Sequence, residues 1–200
     1  MNHMKTVVKV WDVPLRLFHW SLVVSFAAAY FTAEFRLGFL HIWIGYFLCV
    51  LLLTRIIWGF AGNHYARFHS FIFSRAETMS YLRAMLQGHP KPYLGHNPAG
   101  ALMVFALLGT LSLVFLSGLM TLALIDFEGP ALFLIDYVND ETSYTVRHLH
   151  EWLVNIALVL IPLHLLGVLV GSIQHKENLV RAMITGKKCI VPARRNKEEK

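Results

Sequence analysis

The chain has 200 residues, of which 56% are hydrophobic, 13% aromatic and only 15% charged, with a mean hydropathy of +0.52. Soluble domains carry roughly a quarter of charged residues, so this composition excludes an ordinary soluble globular protein. The net charge of +6 and pI near 9.5 are those of many nucleic-acid binders, but the basic residues are distributed by side of a membrane, so no nucleic-acid partner is expected.

Four apolar segments, at about 15–34, 38–60, 99–124 and 150–173, each reach the roughly 20 residues needed to cross the hydrocarbon core. They predict an all-α fold, an integral membrane four-helix bundle forming one domain over residues 1–200. The first segment is long for a signal-peptide apolar region and has no small-residue cleavage site before "TAEF", so it is expected to stay in the mature chain. The turn around "FRLG" is short enough to force spans one and two into an antiparallel pair.

Within the 62–95 loop, "SRAETMSYLRAMLQGHP" places Met79, Leu82, Met85 and Leu86 at helical spacing with arginines between them. It predicts a short amphipathic helix over about 74–88, lying along the membrane surface and stopped by Gly88 and Pro90. "GHNPAG" supplies an N-cap, Asn97, and a first helical residue, Pro98, for the third span. The acidic connection of about 125–147 is expected to form a small lid, and the tail of about 176–188 a second interfacial segment. "NLVRAMITGKK" echoes "SYLRAMLQGHPK", and "FLHIW" echoes "HLHEW", which sets His41 and His150 at one membrane level.

Sixteen of the eighteen Lys and Arg residues fall on the side of the termini and the 62–95 loop. The other side keeps Arg36 and Arg147 beside Glu34, Asp126, Glu128, Asp136, Asp140 and Glu141. The positive-inside rule therefore predicts cytoplasmic termini.

His150 and His164 are fourteen residues apart, about 40° short of four full turns, so both project from nearly one face, about 21 Å apart along the axis. His148 falls on the opposite side. Depth supplies the partners: His41 opens the second span level with His150, and His19 lies about one turn inside the first span, level with His164. An imidazole is costly to leave unpartnered in hydrocarbon. Two facing imidazoles in apolar and aromatic surroundings, with no carboxylate or thiolate to complete a tetrahedral set, suit a six-coordinate haem iron better than zinc. Taken singly, His41 and His150 also read as interfacial or capping residues; the four together predict two haem sites stacked across the bilayer.

Cys49 and Cys189 differ too much in depth to pair, and no C-x-x-C-H occurs, so disulfide scaffolding and covalent haem attachment are excluded. Arg55 follows His41 by fourteen residues and is either a haem-propionate contact or a residue snorkelling to the surface. Arg16, three residues before His19, divides the same way, and Arg36 and Arg147 are the propionate candidates on the acidic side. His3, His64, His69, His89, His96 and His175 read as ordinary tail or loop histidines, and the histidine-free third span reads as wall.

"VWDVPLRLFHW", "HIWIGYFLCVLLLTRIIWGF", "GHNPAGALMVFALL" and "LHEWLVNIALVLIPLHLLG" resemble the bacterial cytochrome b561 and nickel-iron hydrogenase cytochrome b family over about residues 7–188. The resemblance implies a bacterial inner-membrane cytochrome b holding two non-covalent b-type haems, with His19, His41, His150 and His164 as axial ligands. It implies an electron-transfer subunit of a respiratory chain, working between the quinone pool and a periplasmic redox protein: a cytochrome c, a hydrogenase or a dehydrogenase subunit. Some relatives instead resemble superoxide oxidases that reduce quinone without a partner, and that is the alternative reading. A metal or proton transporter fits the topology but leaves the matched histidine levels unexplained, and transport relays recruit acidic residues that the middles of these spans lack.

Overall fold

The structure is a computed structural model that describes residues 6–190, with side chains over 7–188; His3, Lys5, the Cys189 side chain and the basic tail beyond 190 lie outside the described residues. A strand β1 (Thr6–Lys9) leads into helix α1 (Val13–Glu34), followed by α2 (Gly38–Ala61), α3 (Arg75–Leu86), α4 (Pro98–Ile125), α5 (Asp140–Gln174), α6 (Leu179–Thr185) and strand β2 (Lys187–Ile190). The four helices α1, α2, α4 and α5 are long and apolar enough to cross a membrane, and they make an all-α membrane bundle. Helices are the economical solution there, because every backbone N–H and C=O must be satisfied without water.

Each spanning helix starts where a local signal places it. Asp12 accepts from Leu15 N at 3.0 Å to cap α1, Asn97 accepts from Gly100 N at 2.7 Å to cap α4, and a proline opens both helices. The α1–α2 turn passes through Arg36 at φ 57°. Helix α1 packs along α2, and α4 along α5. Ala29, Leu48, Leu52, Leu111, Val114, Phe115 and Leu153 interlock at the centre of the bundle. In lipid such contacts hold through close van der Waals packing, since water is not there to be escaped.

Three features depart from the sequence reading. Helix α5 begins at Asp140, ten residues before the expected span, because Asn139 caps it (Thr142 N to Oδ1, 2.9 Å) and Asp140 and Glu141 sit in its first turn. Carboxylates there complement the helix dipole, a signal that hydropathy does not register. The connection expected over 125–147 therefore shrinks to a lid over residues 126–139, which contains a single 3-10 turn, Leu132–Tyr137. The lid turns back through Phe127 at φ 59° and Gly129 at φ 89°, and a Cβ at Gly129 would stand 3.0 Å from the Tyr46 hydroxyl and 2.9 Å from Leu122.

The tail is helical only over Leu179–Thr185, then passes through Gly186 at φ 78° into β2. Strand β2 pairs antiparallel with β1, Val8 opposite Lys188 and Lys9 opposite Lys187. Val10, Trp11, Leu15, Ala66 and Ala182 bury themselves beside this two-stranded sheet and close the termini side of the bundle. Helices α3 and α6 are each followed by a left-handed glycine, Gly88 and Gly186, the conformation that lets a helix stop without a Cβ clash.

Candidate functional site

The histidines meet across the bundle in two pairs. His19 of α1 faces His164 of α5 with ring centroids 6.4 Å apart and planes inclined by 57°. His41 of α2 faces His150 of α5 at 6.3 Å and 84°. His148 points elsewhere, lying 3.5 Å from Glu151 on an exposed surface.

Those separations have a chemical meaning. Metal–imidazole bonds are about 2.0 to 2.1 Å, and an imidazole centroid is about 1.1 Å from its nitrogen, so one metal between two Nε2 atoms sets centroids about 6.3 Å apart. Among the described residues no group of three or more His, Cys, Asp or Glu side chains could hold a metal ion. A bare ion would therefore find only two protein donors at each level. A haem, whose macrocycle supplies the remaining four, fits both pairs.

The ring orientations of the lid-side pair are fixed by backbone carbonyls. His41 Nδ1 lies 2.9 Å from Ala29 O, and His150 Nδ1 lies 2.9 Å from Val114 O. A carbonyl can only accept, so both Nδ1 atoms carry the proton and both Nε2 lone pairs are left for a metal. On the termini side, His19 Nδ1 is buried with no partner, and its ring edge meets Trp20 at 5.1 Å.

The arginines occupy four different settings. Arg55 is 3% exposed, so it is no snorkelling residue: its Nη2 donates to Ala66 O at 3.3 Å, its guanidinium lies 4.7 Å from the Phe68 ring centroid, and Nη1 is buried without a partner. The outward path is blocked because Ala66 and Phe68, in the segment that follows α2, close over it. Arg16 is tied to α6 and to the cap of its own helix, with Nη1 donating to Ile184 O and Nε to Asp12 O. Arg36 is exposed in the lid-side turn, and Arg147 is exposed and paired with Glu151 at 3.3 Å.

Sequence reasoning missed two groups. His96, read as an ordinary loop histidine, is wedged between Trp11 (4.7 Å) and Phe71 (4.4 Å) with a buried, unpartnered Nδ1. Burial first, then the Arg55 and Lys188 charges, push it down to about 3. Its neighbours are distant in sequence, so no local pattern marks it. His175 likewise is no solvated tail residue: it meets the Tyr81 hydroxyl at 3.3 Å, and burial lowers its proton affinity while raising that of Tyr81 to about 12. The second group is on α4, where Val114 O and the Ser117 hydroxyl both reach His150. The wall reading of that helix is incomplete.

Comparison with known proteins agrees with this architecture. Among curated relatives, the chain is 27% identical to a probable Ni/Fe-hydrogenase B-type cytochrome subunit of Rhizobium leguminosarum bv. viciae, over 90% of this chain and 88% of the relative. It is 27% identical to the protein of that description from Cupriavidus necator, over 88% and 85% of the two chains. The Azotobacter vinelandii counterpart is 34% identical over 50% of this chain and 53% of its own. No solved structure matches. Residues 10–186, a stretch that runs from just after β1 to the glycine after α6 and takes in both histidine pairs, match the prokaryotic cytochrome b561 family, and the chain belongs to that family of membrane b-type cytochromes of electron transfer.

Proposed function

We propose that the protein carries electrons across the bacterial inner membrane between a periplasmic redox protein and the quinone pool, through two non-covalent b-type haems. Bound haem iron supplies one-electron chemistry, cycling between ferric and ferrous states. The observation that supports this reading is the pair of imidazole couples, 6.4 and 6.3 Å apart, at two depths of one bundle. His19 and His164 would hold the iron of one haem on the termini side, and His41 and His150 that of the other on the lid side. The basic residues gathered around the termini support a cytoplasmic termini side and a periplasmic lid.

The chain's own groups divide the work. Ala29 O and Val114 O hold the Nδ1 protons of His41 and His150, which keeps each Nε2 aimed at its partner. Ala29, Leu48, Leu52, Val114 and Phe115 pack into one apolar core that adjoins the lid-side pair. Arg55, buried with one free guanidinium nitrogen, is the strongest propionate contact on the termini side; Arg16 is second there, and Arg36 and Arg147 are the candidates at the lid. The named relatives are hydrogenase subunits, so a hydrogenase is the first periplasmic partner to test, ahead of a cytochrome c or a dehydrogenase.

Pyridine haemochrome analysis of the purified protein is expected to give two haems per chain with a low-spin bis-histidine spectrum; one haem or none would refute the reading. Quinone reduction by the isolated chain with superoxide as donor would favour the partner-free alternative instead.

A further inference from the structure

Helix α4 carries no histidine, yet it packs directly against one. Against the ring of His150 it presents three consecutive features on one face. The carbonyl of Val114 is 2.9 Å from Nδ1, the Ser117 hydroxyl is 3.2 Å from it, and a Cβ added to Gly118 would stand 3.1 Å from Cε1 and 3.4 Å from Nδ1. Ser117 is 4% exposed and its hydroxyl lies 2.8 Å from Leu113 O, to which it donates. Its proton is thereby committed backward along the helix, which leaves an oxygen lone pair for His150.

From this geometry we propose that α4 is the positioning element of the lid-side centre: Ser117 and Val114 O share the Nδ1 proton of His150, Gly118 makes room for the ring, and the centre so held is the lower in potential of the two. The inference rests on the proposed ligation by His41 and His150. An acceptor on the distal nitrogen fixes the tautomer and makes the imidazole a more basic ligand, which favours the ferric state. Both lid-side imidazoles have such an acceptor, from Ala29 and from Val114 with Ser117. On the other side the Nδ1 of His19 is buried with no partner, and the guanidinium of Arg55 is buried in the same half of the molecule. A buried positive charge favours the ferrous state. The unpartnered Nδ1 of His19 and the buried charge of Arg55 therefore separate the two potentials in the same direction.

Val114 O remains when the hydroxyl is removed, and only the part of the lost bond that differs between ferric and ferrous states moves a midpoint, so the shift is bounded by one ordinary hydrogen bond, at most about fivefold in the reduction equilibrium. Redox titration of purified Ser117→Ala, followed optically and by the low-spin ferric signals, should move one midpoint upward within that bound and leave the other in place. The centre that moves should be the one that remains in His164→Ala, and it should be the lower of the wild-type pair. Ser117→Thr, which keeps the oxygen, should restore the wild-type value. Gly118→Ala keeps the hydroxyl but displaces the ring, so it should change the ferric signal of the same centre; Gly109→Ala, whose Cβ would meet nothing within 4 Å, should change neither.

Unchanged midpoints in Ser117→Ala, or a shift in the centre lost in His164→Ala, would overturn the proposal. If Ser117→Ala does not fold, an unchanged lid-side signal in Gly118→Ala overturns it. A wild-type protein without two bis-histidine haems is a separate result, because it removes the ligation reading itself.

Discussion

Asp12 is the residue on which the termini side of the bundle turns, because its two carboxylate oxygens serve different helices. Oδ1 caps α1 by accepting from Leu15 N at 3.0 Å, and Oδ2 accepts from the indole of Trp58, near the end of α2, at 2.8 Å. Asp12→Ala removes both. An N-cap is worth about 1 kcal/mol, and a partly buried indole donor left without its carboxylate costs about 1 to 2 kcal/mol, so the variant should lose about 2 to 3 kcal/mol. Asp12→Asn offers one oxygen where two donors require one each, and since Asn caps as well as Asp, it should lose about 1 to 2 kcal/mol. Trp58→Phe should cost a similar amount alone and add little to Asp12→Asn, as expected for partners in one bond. Reversible unfolding in mixed micelles, read by tryptophan fluorescence and near-ultraviolet dichroism, measures all four proteins. Equal losses for Asn and Ala, or full additivity with Trp58→Phe, would refute the two-oxygen account.

Other outcomes test the site. His19→Ala and His164→Ala should each remove one of two haems, and the double variant should lose little more, because each ligand damages the same centre; His148→Ala should keep both, and loss of a haem there would show that the helical phase picked the wrong residue. Arg55→Gln should lower the midpoint of the termini-side centre while sparing the other, since removing a buried positive charge favours the ferric state; an unmoved midpoint in a potentiometric titration argues against it. His96 is held down to about 3 in the folded chain, against roughly 6.5 unfolded, so the unfolded state takes up the proton first as pH falls. Its contribution is therefore complete above about pH 6.5 and is lost toward pH 3, at about 1.4 kcal/mol per pH unit in the steep region. His96→Gln should flatten that part of the stability–pH curve between pH 6 and 4; an unchanged slope would mean that the ring is not buried neutral.

What the sequence determined by itself were the properties that a helix carries locally. A run of apolar residues declares a span whatever it packs against, and fourteen residues place His150 and His164 on one face by the pitch of the helix alone. Asn97 followed by Pro98 marks the start of α4 because a cap bonds only three residues ahead. Depth then follows from position in each span, which is why partners for the histidines can be named without coordinates. The start of α5 at Asp140 is also local, but its signal is a capping asparagine and two acids, and reading for hydropathy passed over it.

The tertiary structure alone decided everything that joins residues far apart in the chain. Ser117 meets His150 across 33 positions, Arg16 meets Ile184 across 168, and β1 pairs with β2 at the opposite end of the protein. No periodicity links such residues, because their distance is set by how helices pack and not by the geometry of any one of them. Arg55 shows the consequence. Its position on α2 allowed either a surface or a buried guanidinium, and the choice fell to the loop of residues 62–73 and the Phe68 ring that close over it. The pairing of the four histidines was therefore legible in sequence, whereas the groups that orient their rings and set their charge environment were not.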